Sequence, residues 1–354
     1  MPSSTPLDIL EINKEQLVTV LEQQGIEKYR ADQILKWVYF RQADTFDAMT
    51  DLGVKVRNIL SRQFSILRLS RVHCETSRDG TRKYLFRLQD GKHIESVLMQ
   101  EKSHDTLCIS SQVGCGQRCK FCLTGAGGFE RNLTRGEMVA QVRDIMNDLE
   151  SPNRLTNIVF MGMGEPLANY DNLIGALQTI TDNETGLRFA SRRVTVSTAG
   201  WVPKLGELGR DTKVNLAISL NATDNQTRSM LMPINRKYPI EKLLEACGRY
   251  ILPPGRRITF EYILIKGVND SAEDAQRLVR LLRPIKAKIN LIPLNPHEGI
   301  DWLRPEASVI QRFQEVLYQH NYTAIIRYSK GEDISAACGQ LKARSSRLSA
   351  REPV

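Results

Sequence analysis

Three cysteines fall inside eight residues, Cys115-Gly-Gln-Arg-Cys119-Lys-Phe-Cys122, separated by three residues and then by two. A structural zinc takes four protein ligands, often as two CxxC pairs, and no second pair exists here; zinc would have to borrow Cys108 or a distant cysteine. A 4Fe-4S cube held by three cysteines leaves one iron free for a substrate or cofactor, so the spacing suits a catalytic cluster better than an electron carrier. The other four cysteines are Cys74, Cys108, Cys247 and Cys338, which makes seven, an odd and clustered set that does not fit a disulfide framework. Cys74 and Cys247 have no motif around them and read as small buried hydrophobes. Cys108, in TLCISS, and Cys338, in DISAACGQL, stand in more particular surroundings.

Those residues need a scaffold, and a rhythm sets in from residue 105. Strand-like apolar runs occur at TLCISS, NIVFMGMG, RRVTVSTAG, KVNLAISLNA, RITFEYILIKG and AKINLIPLNP, with helical patterns between most of them; TAIIRYSKG could add a seventh. Continuous rather than alternating apolar strands argue a parallel sheet covered by helices. Thr134 and Glu137 give a capping-box signal ahead of the first of these helices. The distinctive polar groups sit at strand ends: the cysteine loop, Gly164-Glu165, Ser197, Ser219 with Asn221, and Asn295. In parallel barrels the active site is built at those carboxyl ends. Met163-Gly164-Glu165-Pro166 lacks the GxGxxG of a dinucleotide loop and taken alone is compatible with a tight turn.

Ahead of the repeats, residues 7–72 read as short helices broken at Gly25 and Gly53. A β-hairpin follows, KYLFRLQ and KHIESVLM around Asp90-Gly91. Four segments result: 1–75 helical, 76–100 a linking hairpin, 101–335 the core, and 336–354 a carboxyl-terminal segment carrying Cys338, with a basic tail expected to be mobile. The amino-terminal sequence has no export signal and no window is apolar enough to span a membrane, so a cytoplasmic protein is expected. A formal charge of +9 over 354 residues favours polyanionic partners, although a solvated basic surface explains it equally well.

The cysteine loop just after the first strand of such a repeat resembles the radical S-adenosylmethionine (radical SAM) enzymes. In that superfamily the free iron chelates S-adenosylmethionine, and an electron from the cluster yields a 5′-deoxyadenosyl radical; GMGEP resembles the motif that pairs with the cofactor's amino group. TLCISSQVGC, CKFC, GFERNLT, FMGMGEPLAN, RRVTVSTAG, LAISLNA, LMPINRKYPI, KINLIPLNP and GEDISAACGQL together resemble the RlmN-type RNA methyltransferases over about residues 7 to 342. The resemblance implies a partial (β/α)6 barrel and methylation of C2 of an adenine in 23S rRNA and beside the anticodon of certain tRNAs.

By the same resemblance, Cys115, Cys119 and Cys122 hold one 4Fe-4S cluster. Gly164, Glu165, Ser197, Ser219, Leu220, Asn221 and Asn295 contact S-adenosylmethionine, two molecules of which serve each turnover. Asn221 departs from the family pattern, which has histidine there, and that puts its own contact in doubt. Cys338 is the methyl carrier, as an S-methylcysteine; Cys108 closes a transient disulfide with it; Glu95 is the proton acceptor. Strand alternation puts Glu95 on one face with Val97 and Met99, where partial burial would raise its pKa, while an exposed strand glutamate is the plain alternative. Phe121 is expected to pack against the cofactor, with simple covering of the iron and sulfur as the alternative. Lys55, Arg57, Arg62, Arg68 and Arg71 offer an RNA-docking surface or merely a solvated helix face. An external donor of flavodoxin or ferredoxin type and a monomeric state are also implied. Two rival readings stay open: the Cfr type, which modifies C8 of an adenine, and a non-catalytic, zinc-stabilised RNA-binding protein.

Overall fold

The computed structural model describes residues 6–342; the basic tail from Ala343 onward lies outside them. One ten-stranded sheet organises the chain. Its strands are β1 (Ser70–Thr76), β2 (Arg82–Arg87), β3 (His93–Gln100), β4 (Asp105–Cys108), β5 (Leu155–Phe160), β6 (Val194–Thr198), β7 (Asn215–Ser219), β8 (Ile258–Leu264), β9 (Ala287–Pro293) and β10 (Ala324–Ile326). They lie side by side in chain order, from β1 at one edge to β10 at the other. From β4 to β10 every neighbour is parallel. Sequential parallel order with a crossover at each step is the winding of a (β/α) barrel, here left open between its two edges.

One face of this sheet is dry. Val194, Val196, Leu216, Ile218, Phe260, Tyr262, Ile289 and Leu291 are all buried where the helices cover them. The opposite, concave face is polar. Cross-strand partners put Ser219, Glu261, Asn290 and Ile325 in one row and Ser197, Ala217, Thr259 and Lys288 in the row below. The runs therefore alternate after all, with short polar side chains lining an interior that residues such as exposed Lys288 and Ile325 open to solvent.

The predicted hairpin forms as β2 and β3 around Gly91, whose φ of +82° suits glycine. It does more than link, since β3 pairs antiparallel with β4 and extends the main sheet. The helical reading of 7–72 holds for Lys14–Gln23, Arg30–Leu35 and Val54–Gln63 but fails at its end, where Ser70–Thr76 is a strand. This exposed edge strand is polar and carries no apolar alternation to betray it.

The amino-terminal helices dock on helix Arg135–Asn147, whose Thr134/Glu137 capping box forms as expected. Fully buried Arg143 donates to the carbonyls of Val38 (3.1 Å) and Ala43 (3.0 Å). Asp144 accepts from the Leu69 amide and from Arg68, each at 2.7 Å. These bonds satisfy backbone groups that the module would otherwise leave bare at its seam.

Candidate active site

The cysteine loop begins where the short strand Gln112–Gly114 ends. Gly114 has φ +72°, and a side chain there would meet the Gly128 carbonyl. The loop is tied by Cys115 N–H to the Gly128 carbonyl (2.7 Å), Lys120 N–H to that of Leu231 (2.9 Å) and Cys122 N–H to that of Cys119 (3.1 Å). Phe121 packs with Leu231, Met232, Ile234, Ile265 and Leu294 in a small apolar cluster beside the loop. Burial pushes the Cys115 thiol up to about 12, with the negative charge of Cys122 and Glu165 adding to it. Burial raises Cys119 still further, followed by Cys122 and Cys115.

Thiols so placed do not ionise by themselves. A strongly cationic centre binding all three does ionise them, so the donor set fits an iron–sulfur cube. Among the described residues no group of three or more His, Cys, Asp or Glu side chains, Cys115, Cys119 and Cys122 included, is already gathered around a point that could hold a metal ion.

Gly164 lies against this loop. Its φ is +109°, and a Cβ would fall 2.6 Å from the Gln112 Cβ and 2.7 Å from the Ser111 Oγ. Only glycine fits so close an approach. The Glu165 amide donates to Gln112 Oε1 (2.9 Å), while its own carboxylate accepts from the amides of Leu167 (3.1 Å) and Ala199 (2.7 Å). Burial lifts Glu165 to about 7 against those bonds.

Ser197 and Ser219 reach the concave face near the tops of β6 and β7, half-buried. Leu220 is buried and offers only backbone there, its N–H to Glu261 and its carbonyl to Arg228 Nε (3.0 Å each). Asn221 is 1% exposed with φ +58°. Its Oδ1 accepts from the Ile263 amide (2.8 Å) and its Nδ2 sits 3.2 Å from the Met232 sulfur. The side chain is thus committed to joining the ends of β7 and β8, a bracing position rather than a contact surface.

Arg228 was not singled out in the sequence. It is fully buried without a carboxylate, and its fork donates to the carbonyls of Leu220 (3.0 Å) and Ala199 (2.8 Å) and to Asn235 Oδ1 (3.0 Å). Burial lowers it to about 10. The one signal available was an arginine inside TRSMLMPIN, a run otherwise poor in charge.

Residues 338–342 fold back over this rim. The Gly339 carbonyl accepts from Leu123 N–H (2.7 Å), and the Leu341 carbonyl from Thr124 Oγ1 (2.7 Å). Asn295 Nδ2 donates to the Cys338 carbonyl (3.3 Å), and Gln340 Nε2 to that of Pro296 (3.0 Å). Glu95 Oε2 accepts from the Lys342 amide (2.7 Å), with Lys83 Nζ 3.8 Å from its other oxygen. Glu95 is buried on the face expected: Val97, two residues along, stands opposite Cys108. Burial raises its pKa, opposed by Lys83 and the Lys342 amide.

Cys108 is pushed up to about 12 by burial and then by the charge of Cys338. Cys338 is itself raised by burial, with Arg327 opposing and Glu261 and Cys122 assisting. Cys338 is nevertheless accessible to solvent, the combination expected of a side chain standing inside an open concavity. Cys247 is buried in helix Ile240–Gly248 and Cys74 is half-buried, as small hydrophobes are.

The basic residues proposed for docking divide. Arg68 pairs with Asp44 and Asp144, Arg71 pairs with Asp148, and Arg57 donates to the Asp47 carbonyl. Those three are occupied within the chain, whereas Lys55 and Arg62 are exposed.

An open parallel barrel with a three-cysteine loop at its first strand defines the radical SAM class, and the radical SAM superfamily model matches residues 109–281. A crystal structure of a radical SAM methyltransferase from Sphaerobacter thermophilus superposes with a TM-score of 0.90 at 46% identity, covering 96% of this chain and 100% of that one. The model described as the ribosomal RNA large subunit methyltransferase N-terminal domain matches residues 7–66. Dual-specificity RNA methyltransferases RlmN from Desulfosudis oleivorans and Geobacter sulfurreducens are 55% and 53% identical, each over 96% of this chain and over 92% and 93% of their own length. The chain belongs to the RlmN family.

Proposed function

We propose that the protein methylates C2 of an adenine in 23S rRNA and in tRNA through a methyl group carried on Cys338. The reading is carried by the return of residues 338–342 to the cysteine loop, to Asn295 and to Glu95 on one concave face that also bears Cys108. The electron-poor ring carbon is no nucleophile for a sulfonium methyl, so the carbon has to be delivered as a radical. A cluster on Cys115, Cys119 and Cys122, with S-adenosylmethionine at the Gly164–Glu165, Ser197, Ser219–Leu220 and Asn295 rim that Asn221 braces, would supply both the methyl group and the hydrogen-abstracting radical, two cofactor molecules per turnover.

Cys338 takes the methyl by thiolate attack and then gives up one of its hydrogens. Its methylene carbon bonds to C2, and one electron from the adduct would return to a cluster held by Cys115, Cys119 and Cys122. Glu95 accepts the C2 proton. Cys108 attacks the Cys338 sulfur; the carbon keeps the pair from the broken C–S bond and takes a proton to become the methyl group. The resulting disulfide is reduced before the next cycle, in keeping with a cytoplasmic thiol pool and an external flavodoxin- or ferredoxin-type donor. The protein acts as a monomer, with residues 1–75 as an RNA-docking domain, 76–100 as the hairpin, 101–335 as the core and 336–354 as the carrier segment.

Mass spectrometry of nucleosides from treated RNA tests this: 2-methyladenosine is expected, and 8-methyladenosine would refute it. Cys338→Ala abolishes methylation on this mechanism, and a variant that methylated normally would sink it.

A further inference from the structure

Opposite the active-site rim, at the amino ends of β8, β9 and β10, a cavity of about 740 Å³ is lined by Arg256, Arg257, Arg283, Lys286, His320 and Tyr322 among others, with no carboxylate in its wall. Arg257 reaches Thr323 Oγ1 (3.0 Å), and Arg256 is turned to the Lys213 carbonyl. Arg283 and Lys286 are exposed and have no carboxylate partner among the described residues. So many cations around one hollow repel one another unless an anion sits among them.

Above the cavity the same strands carry further cations on the concave face. Thr259 pairs with Lys288, and the Ile258 amide bonds to the Lys286 carbonyl, so alternation places Arg257, Lys286 and Lys288 on the concave face. Asn290 pairs with Ile325 on that face, and Arg327, two residues on, follows it. Arg257, Lys286, Lys288 and Arg327 are all exposed. From Lys286 to the level of Arg327 is about six residues of strand, roughly 20 Å at 3.3 Å per residue. At its upper end Arg327 acts electrostatically on both Cys108 and Cys338. Of the carboxylates on the same face, Glu261 is 5% exposed and held by Asn290 Nδ2 (2.9 Å), and Glu95 is 5% exposed and held by the Lys342 amide (2.7 Å).

We infer that this line of cations is a phosphate track, which seats the backbone of a single-stranded stretch of the substrate RNA in the open barrel and leads its base to Cys338. The inference rests on the RNA-methyltransferase reading above. It adds a binding surface on the last strands, at the opposite edge of the sheet from the amino-terminal helices. Such cations bind phosphate and not base edges, so the track itself gives affinity and register and carries no sequence preference.

The test uses the holoenzyme with unmodified tRNA transcript and with short oligoadenylate. In Arg257→Gln/Lys286→Gln the slope of log Kd against log salt becomes shallower by roughly 1.4–1.8, at 0.7–0.9 per lost phosphate, and affinity at 0.1 M salt falls on the order of 30-fold. Arg257→Lys/Lys286→Arg keeps the wild-type slope, and 5′-deoxyadenosine formation without RNA is unchanged in both variants. Wild-type affinity and slope in the Gln pair would overturn the track while leaving the methyltransferase reading intact. RNA binding unchanged but reduction by an acidic protein donor slowed, with dithionite reduction normal, would overturn it in favour of a protein-docking face. Absence of salt-dependent RNA binding by the wild type would overturn both readings.

Discussion

Arg228→Met removes the fork that closes the tops of β6 and β7 and keeps a side chain of similar length. Three bonds of 3.0 Å or less are lost, to the carbonyls of Ala199 and Leu220 and to Asn235 Oδ1. Charge-assisted bonds contribute about 1.5–3 kcal/mol each, and two buried carbonyls are left without a partner. Against this, the variant no longer has to bury a guanidinium lacking a counter-ion, a real saving in a dry site. The balance is roughly 3–5 kcal/mol of destabilisation, the range seen when one partner of a buried charged network is removed. With an unfolding entropy near 2.1 cal/mol/K per residue, a 354-residue chain loses about 1.4 °C of Tm per kcal/mol, or roughly 4–7 °C. Anaerobic scanning calorimetry of the cluster-free protein reads this directly. Arg228→Lys, which restores the charge but spans fewer acceptors, falls between the two. A Tm within a degree of wild type for Arg228→Met would refute the claim that this fork braces the rim.

Gly164→Ala drives a Cβ into Gln112 and Ser111, and is expected to cost at least about 2 kcal/mol and to weaken S-adenosylmethionine binding in equilibrium dialysis. Asp8 is held up at about 6 by burial, so the folded protein binds a proton there that the unfolded chain releases at lower pH; the stability it contributes is present below pH 4 and lost as pH rises to 6. Asp8→Asn should therefore flatten that window and gain roughly 2 kcal/mol at pH 7, read from urea midpoints; an unchanged pH profile would count against it. Glu95→Gln keeps the acceptor for Lys342 but cannot take a proton, so methylation falls at least about 100-fold across the pH range while 5′-deoxyadenosine formation persists.

Much of the scaffold was legible because the helix-covered positions of β5 to β9 form apolar runs and the chemistry sits at their ends. The concave face was misread as apolar: Asn215, Ser219, Glu261 and Asn290 are single polar residues inside hydrophobic words, too sparse to announce an open interior. Ser70–Thr76 was missed because an exposed edge strand needs no apolar pattern. Arg228 and Arg143 were illegible for a common reason: each is buried on backbone carbonyls, which the sequence does not print. Arg68 and Arg71 pair with Asp144 and Asp148, residues in a different segment, and such tertiary pairings are not legible in the sequence.

The bond from Leu123 to Gly339 ties the radical-generating loop to a residue made more than two hundred positions later. During synthesis Cys115, Cys119 and Cys122, the proposed cluster ligands, emerge and can fold long before Cys338, the proposed methyl carrier, exists. A chain stalled short of Cys338 would have the ligands for a cluster and much of a cofactor rim, but nothing to receive a methyl group. Its radicals would have no acceptor but itself. On the proposed mechanism, the late appearance of Cys338 separates a fragment able to hold a cluster from a chain able to pass a methyl group on.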